Sequence, residues 1–324
     1  WISILLTLLL QFFLFSKGPD ISRAFIKFSA LFVYLGLILF SLIIISENFN
    51  EVSNSFKLSL NVENFVAKNN FVPLLTVIGT MFAYFSIIIV NFGDFSRYVK
   101  NEKELIRGNL SLILNLILFS FLAILIVIGV DIILAKNMIQ VDQLLTNPTD
   151  IIGKFDNTYL TIVALIFILF GSASTNLIAN YIPSQNVLLN FLPKNLSLKS
   201  SGFVTILLSF FIGLFWLPVL SQIGILSFID TIGAFFGPIF GIIIADYYVV
   251  KKKQIINKDI FSSSKYGAYY FSGGWHIKAI YSMFIAFVFS ASTIWNVDLR
   301  FLQSYAWLIG AFIGFVIYYL LSEK

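Results

Sequence analysis

The run Gly171-Ser172-Ala173-Ser174-Thr175-Asn176, followed by Ala179 and Asn180, sets hydroxyls, amides and small residues inside an otherwise apolar stretch. An unsatisfied polar group costs several kcal/mol in hydrocarbon, so such a cluster points to a protein-lined cavity or a helix contact. On a helix, Gly171, Ser174 and Thr175 fall at i, i+3 and i+4, which gives one face a carbonyl and two hydroxyls. Hard cations take oxygen ligands, and this neutral donor set suits a sodium half-site better than a carboxylate cage would. Asn176 and Asn180 form their own i, i+4 pair, turned to roughly the opposite side by the step of about 100° per residue. Each amide offers donors and an acceptor, the complement of the N–H and C=O edge of a pyrimidine, purine or hydantoin ring. Small and amide residues also hold membrane helices together without any ligand, and the spacing alone leaves both roles open.

A second polar group ends another apolar stretch, at Asn91-Phe92-Gly93-Asp94-Phe95-Ser96-Arg97-Tyr98. Asp94 and Arg97 stand at i, i+3 and are expected to pair where the chain leaves the membrane, as structure or as part of a gate. Tyr84 and Phe85 lie deeper and offer flat faces on which a planar ring could stack, although core packing serves equally for any one aromatic here. Gly233, Gly237 and Gly241 repeat every four residues with Pro238 among them, a pattern that permits close helix approach and a bend. Asp131 and His276, the latter beside Trp275, read as interfacial residues.

The elements that must carry these groups follow from composition. Of 324 residues, 59% are hydrophobic and 11% charged. A soluble domain carries about 25% charged residues and could not bury so much apolar surface. The apolar residues fall into nine windows, at 1–15, 24–45, 71–92, 110–134, 160–182, 203–220, 225–250, 279–295 and 301–321. Most approach the 20 residues or so that a helix needs to cross a bilayer, so the fold class is an all-α integral membrane protein with about nine transmembrane helices. Alternate loops collect 16 and 5 of the 21 lysines and arginines. By the positive-inside rule, the richer loops and the C-terminus are cytoplasmic, and the cell (plasma or inner) membrane is the simplest expectation for its location. The net charge of +5 then reads as topology and contact with anionic lipid, and nucleic acid is not an expected partner.

Cysteine is absent and His276 is the single histidine, so thiolate, zinc and general-base constellations lack material and an enzyme is not expected. No cofactor and no protein partner is expected beyond the lipid bilayer and a small solute. Trp1 sits inside an apolar run with no basic segment before it, unlike a signal peptide, and the chain reads as an N-terminally truncated fragment.

Several motifs together resemble the nucleobase-cation-symport family, the permeases for cytosine, purines, uracil, thiamine-like compounds, allantoin and hydantoins. They are the segment 91–98, Ser174-Thr175-Asn176 through Ala179-Asn180 to Pro183, and Gly237-Pro238-Ile239-Phe240-Gly241 through Ala245-Asp246-Tyr247-Tyr248. Gly273-Gly274-Trp275 completes the set. The resemblance implies part of a twelve-helix inverted-repeat (LeuT-like) secondary transporter working by alternating access. It places the last two helices of the first repeat at 1–46, the five-helix second repeat at 71–250 and two accessory helices at 275–321. It further implies a coupling ion, Na+ held by the Gly171 carbonyl and the Ser174 and Thr175 hydroxyls, or H+ in its place. Solute contacts fall on Tyr84, Phe85, Asn176 and Asn180. Many members carry tryptophan where this chain has Phe85, which keeps a stacking face of smaller area.

Overall fold

A computed structural model describes residues 2–59, 71–137, 145, 146, 148–152, 154, 158–260, 262 and 264–322. The described residues form helices and connecting turns. These are α1 (Ile2–Ser16), α2 (Pro19–Ser59), α3 (Phe71–Val90), α4 (Phe92–Ser96), α5 (Glu102–Lys136) and α6 (Pro148–Ile152). Next come α7 (Thr158–Asn176), a π-helical turn (Leu177–Tyr181), α8 (Ile182–Phe191), α9 (Leu198–Ile223), α10 (Ile225–Ile244) and a second π-helical turn (Ala245–Val250). The chain ends with α11 (Ile277–Trp295), a 3-10 helix (Val297–Tyr305) and α12 (Ala306–Ser322).

Eight of these helical runs are long and apolar enough to cross a membrane. The window at 1–15 becomes α1, whose 15 residues rise only about 22 Å. Two helices exceed their windows because polar ends continue the helix. In α5 the Asn101 side chain caps the start by accepting from the Glu104 N–H at 3.0 Å, so helix begins well before the apolar window at 110. In α2 the helix runs on past Ile45 through a kink at Asn48, whose backbone stands at φ −134° and ψ 32°. The Asn48 amide donates to the Ile44 carbonyl at 3.3 Å, a side-chain substitute at the carbonyl that a regular ladder would leave to the Asn48 backbone.

The chain divides into two compact units. The first comprises Trp1–Ala67 and Asp94–Phe215. Within it, Ile44 and Val52 of α2 pack on Leu125, Val130 and Leu134 of α5. Gly129 permits the approach, since a Cβ there would overlap the Ile44 side chain. Lys136 closes the far end of this pair, reaching Asn48 at 2.7 Å and Glu51 at 2.8 Å. On its other side α2 meets α7 through stacked Phe32 and Phe167 rings, 4.2 Å apart. Leu8 and Leu14 of α1 join Leu177, Tyr181 and Ile206 in a further cluster that seats the first π turn.

The second unit comprises Lys68–Gly93 and Trp216–Lys324. Its centre is α10, and the expected small-residue stripe finds its partners here. A Cβ on Gly233 would strike Ala83 of α3, and one on Gly237 or Gly241 would strike the backbone of α12 at Trp307 or Ala311. Gly310 and Gly314 of α12 return the contact against Pro238. Small residues on both helices let the backbones meet, which is how helices associate where lipid offers no hydrophobic drive. The helix continues through Pro238 to Ile244.

Candidate functional site

The polar run of the first unit lies where regular helix gives way. Ile182 donates its N–H to the Leu177 carbonyl, five residues back, and this opens the π turn at the end of α7. The residue after Ile182 is Pro183, which has no N–H for the Ala179 carbonyl, so the ladder widens immediately before the proline. Asn176 and Asn180 bracket this turn. The Asn180 Nδ2 donates to the Asn176 Oδ1 at 2.6 Å, which aligns the two amides side by side. That bond uses one donor of Asn180 and leaves it an acceptor oxygen and a second N–H, next to the Asn176 amide donors. Asn180 is exposed and Asn176 half-buried.

One turn earlier, the Ser174 hydroxyl donates to the Gly171 carbonyl at 3.1 Å, so two of the three expected cation ligands are adjacent. Ser174 is buried, Gly171 is half-buried and Thr175 is exposed. A Cβ at Gly171 would lie 3.5 Å from Val33 of α2, an ordinary contact, so glycine is not enforced there by space.

Tyr84 and Phe85 belong to the second unit, on α3, and stand edge to face with ring centroids 5.1 Å apart. Tyr84 is exposed and Phe85 half-buried. The expected sites therefore form three local groups, each built within one helical stretch: the Gly171–Ser174 oxygens, the asparagine pair and the aromatic pair.

Asp94 pairs with Arg97 as expected and also accepts from the Asn186 Nδ2 of α8 at 3.2 Å. The spacing of 92 residues hides this third member from any local pattern.

His276, beside Trp275 and immediately before α11, finds partners that its span-end position did not suggest. Gly273 and Gly274, with φ of 63° and 91°, form a tight turn closed by a bridge between Ser272 and Trp275. Left-handed backbone at both central positions favours glycine. The turn aims His276 inward while Trp275 stays exposed. The ring stacks on Phe271 at 3.9 Å, and Nε2 meets the Tyr318 hydroxyl at 2.9 Å. Tyr318 donates to Asp246 Oδ1 at 2.6 Å, and Lys251 donates to Oδ2 at 2.5 Å. Because the tyrosine proton goes to Asp246, its oxygen accepts from His276, which places the imidazole proton on Nε2.

Burial holds the His276 imidazole below its ordinary value of 6.5, with Asp246 pulling the other way. An unfolded chain takes up this proton near pH 6.5, the folded chain only at lower pH, so the contribution is complete above that range. It is lost as pH falls through the folded value. The thermal midpoint should thus drop on acidification from pH 7.5 to 5.5 by more in the wild type than in His276→Gln, which keeps a donor toward Tyr318 but does not titrate. Equal drops in the two proteins would show that His276 does not contribute.

Another pairing was not legible from spacing. Asp230 of α10 is 4% exposed and accepts from the Gln303 Nε2 at 2.8 Å, across 73 residues.

Apolar helices of membrane-spanning length, two of them running into π turns, define an integral membrane protein of helices and connecting turns among its described residues. The family described as "Permease for cytosine/purines, uracil, thiamine, allantoin" matches residues 1–322, and the chain belongs to that family of LeuT-like membrane transporters. The chain is similar to the allantoin permease of Bacillus subtilis, 26% identical over 254 residues that make up 78% of this chain and 50% of the relative. It is also similar to a purine-uracil permease of Arabidopsis thaliana, 28% identical over 66% of this chain and 34% of the relative. The hydantoin permease of Microbacterium maritypicum is 24% identical over 44% of this chain and 28% of its own length. The chain thus spans half or less of these curated relatives. No solved structure matches it.

Proposed function

We propose that the protein containing this chain is a secondary active transporter that imports a nucleobase or a related planar N-heterocycle, coupled to Na+ or H+ by alternating access. The observation that carries this is the asparagine pair at the π turn, two aligned amides whose free donors and acceptor match the edge of such a ring. The named relatives carry allantoin, purines and uracil, and hydantoin, compounds that share that edge. In this reading Asn180 and Asn176 hydrogen-bond the solute, and Phe85 with Tyr84 offers aromatic faces to it. The Gly171 carbonyl and the Ser174 and Thr175 hydroxyls hold sodium as a half-site, with the Ser174 hydroxyl turning its lone pairs to the ion. The basic loops lie in the cytoplasm, and residues 71–250 form the second inverted repeat.

The test is uptake of labelled uracil, cytosine, hypoxanthine, allantoin and hydantoin by cells expressing the complete reading frame, with and without sodium. One compound should be taken up in a sodium-dependent manner, and Thr175→Ala should raise the sodium concentration for half-maximal uptake at least about tenfold, the worth of roughly 1.4 kcal/mol. Uptake that ignores sodium and follows the proton gradient in both proteins would replace sodium by protons as the coupling ion. No uptake of any ring compound by a well-expressed protein would sink the assignment.

A further inference from the structure

We propose that Asp230 is a proton-binding site whose occupancy decides how firmly the Gly224 end of α10 is held closed. The carboxylate lies a turn and a half into a membrane-spanning helix, 4% exposed, beneath the 3-10 helix that joins α11 to α12. An ionised carboxylate sealed in such a place costs several kcal/mol unless it is paired with a charge, and an intramembrane carboxylate is otherwise rare.

Among the described residues the hydrogen-bond partner of Asp230 is Gln303, a neutral amide. Of the elements packed on α10, α3 carries Tyr84 as its titratable group and α12 carries Tyr318 and Tyr319. The charge on α11 is Lys278, at the end of that span remote from Asn296, and α11 also carries Tyr281. The 3-10 helix carries Asp298 and Arg300, both exposed, and Tyr305. The π turn after α10 carries Asp246, Tyr247 and Tyr248, at least 16 positions along from Asp230.

The chemistry of the pair makes the proton matter. With Asp230 ionised, Gln303 gives one N–H and its own carbonyl oxygen has nothing to accept from the carboxylate, which repels it. With Asp230 protonated, the acid O–H donates to the Gln303 Oε1 while the amide N–H still donates back. The single contact becomes a reciprocal pair and the buried charge disappears. The proton adds to a carboxylate oxygen and nothing leaves, so the step balances as simple acid–base binding.

The surroundings allow this to be felt as motion. Gly224 sets off α10 at φ 90°, a hinge-compatible break with no side-chain cap, and Pro238 interrupts the hydrogen-bond ladder further on. The half-helix between them carries Asp230. The 3-10 helix it grips is itself pinned to α3 where Ser304 meets Gly79. Protonation exchanges one charge-assisted contact for a reciprocal neutral pair and thereby alters that grip.

The consequence for transport rests on the carrier reading given above, whereas the proton site itself does not. The experiment therefore has two arms on the purified and the cell-expressed full-length protein. Infrared difference spectra across a pH titration should show a carboxylic-acid band that Asp230→Asn removes and whose titration midpoint Gln303→Leu displaces by a pH unit or more. In cells, Asp230→Asn should flatten the dependence of uptake on the pH of the side facing Gly224, leaving solute exchange in place. A titration with no band removed by Asp230→Asn, or with a band that Gln303→Leu leaves unmoved, overturns the site. A band that behaves as expected with an unchanged pH profile of uptake overturns the link to closure. A wild type with no uptake sinks the carrier reading, and the infrared arm still decides the proton site. Should Asp230→Asn fail to fold, the Gln303→Leu titration decides the site alone.

Discussion

Gly241→Leu should abolish monodisperse, folded protein, and Gly241→Ala should already lower the thermal midpoint by several degrees. A Cβ at this position lands on the Ala311 carbonyl of α12, with the carbonyl carbon at 2.7 Å and Cα at 3.0 Å. Backbone cannot step aside as a flexible side chain can, so the helices must separate. Separation also loosens Gly237 from Trp307 and Pro238 from Gly310 and Gly314, the contacts on which the second unit is centred. Overpacking a well-filled interior costs about 1–3 kcal/mol and occasionally more. In a bilayer, displaced helices gain equivalent contacts from lipid and nothing drives them back. Gly108→Ala is the control, because a Cβ there meets nothing within 4 Å and alanine favours helix. Size-exclusion profiles and thermal midpoints in detergent check both variants. A Gly241→Leu protein with the wild-type midpoint would mean that α10 and α12 do not approach as described.

Asn180→Ala should reduce uptake at least about tenfold while leaving expression and thermal midpoint near wild type. The amide is exposed, and its hydrogen bond runs to Asn176 on the same stretch of chain. Among the described residues its loss therefore removes no bond between helices and strands no deeply buried partner, so stability has little reason to change. The solute, in contrast, would lose a donor and an acceptor together. Polar groups built to match a ligand discriminate steeply when one side goes missing, and tenfold corresponds to only about 1.4 kcal/mol. The comparison separates the two roles that the spacing leaves open. A midpoint lowered in step with uptake would identify Asn180 as structural glue, and undiminished uptake would remove it from the solute site.

How much of the site is legible in the sequence depends on the range of each interaction. The asparagine pair, the Gly171–Ser174 oxygens and the Asp94–Arg97 pair lie three or four residues apart, and helical periodicity alone brings such residues together. Pro183 is visible as a motif residue, yet the π turn before it depends on how the ladder accommodates the missing N–H. A histidine beside a tryptophan at a span end is ordinarily interfacial, and spacing gives no sign of what the His276 ring would meet there. Its actual partners, Tyr318 and through it Asp246, lie 42 and 30 positions away in the chain. Asp230 is one carboxylate among apolar residues, with no local signature of what covers it.

By itself the sequence determined the class of protein, the helical runs and the face on which each polar residue falls. Those follow from composition and from the rise and period of a helix, quantities local to the chain. Helix ends escaped it where polar residues capped or extended a run, as at Asn101 and Asn48. Only the tertiary structure decided which backbone Gly241 touches, that Asp230 meets Gln303, and that His276, Tyr318, Asp246 and Lys251 form one chain of hydrogen bonds. These pairings join residues that lie far apart along the chain, and they depend on the crossing of packed helices, which no local spacing encodes.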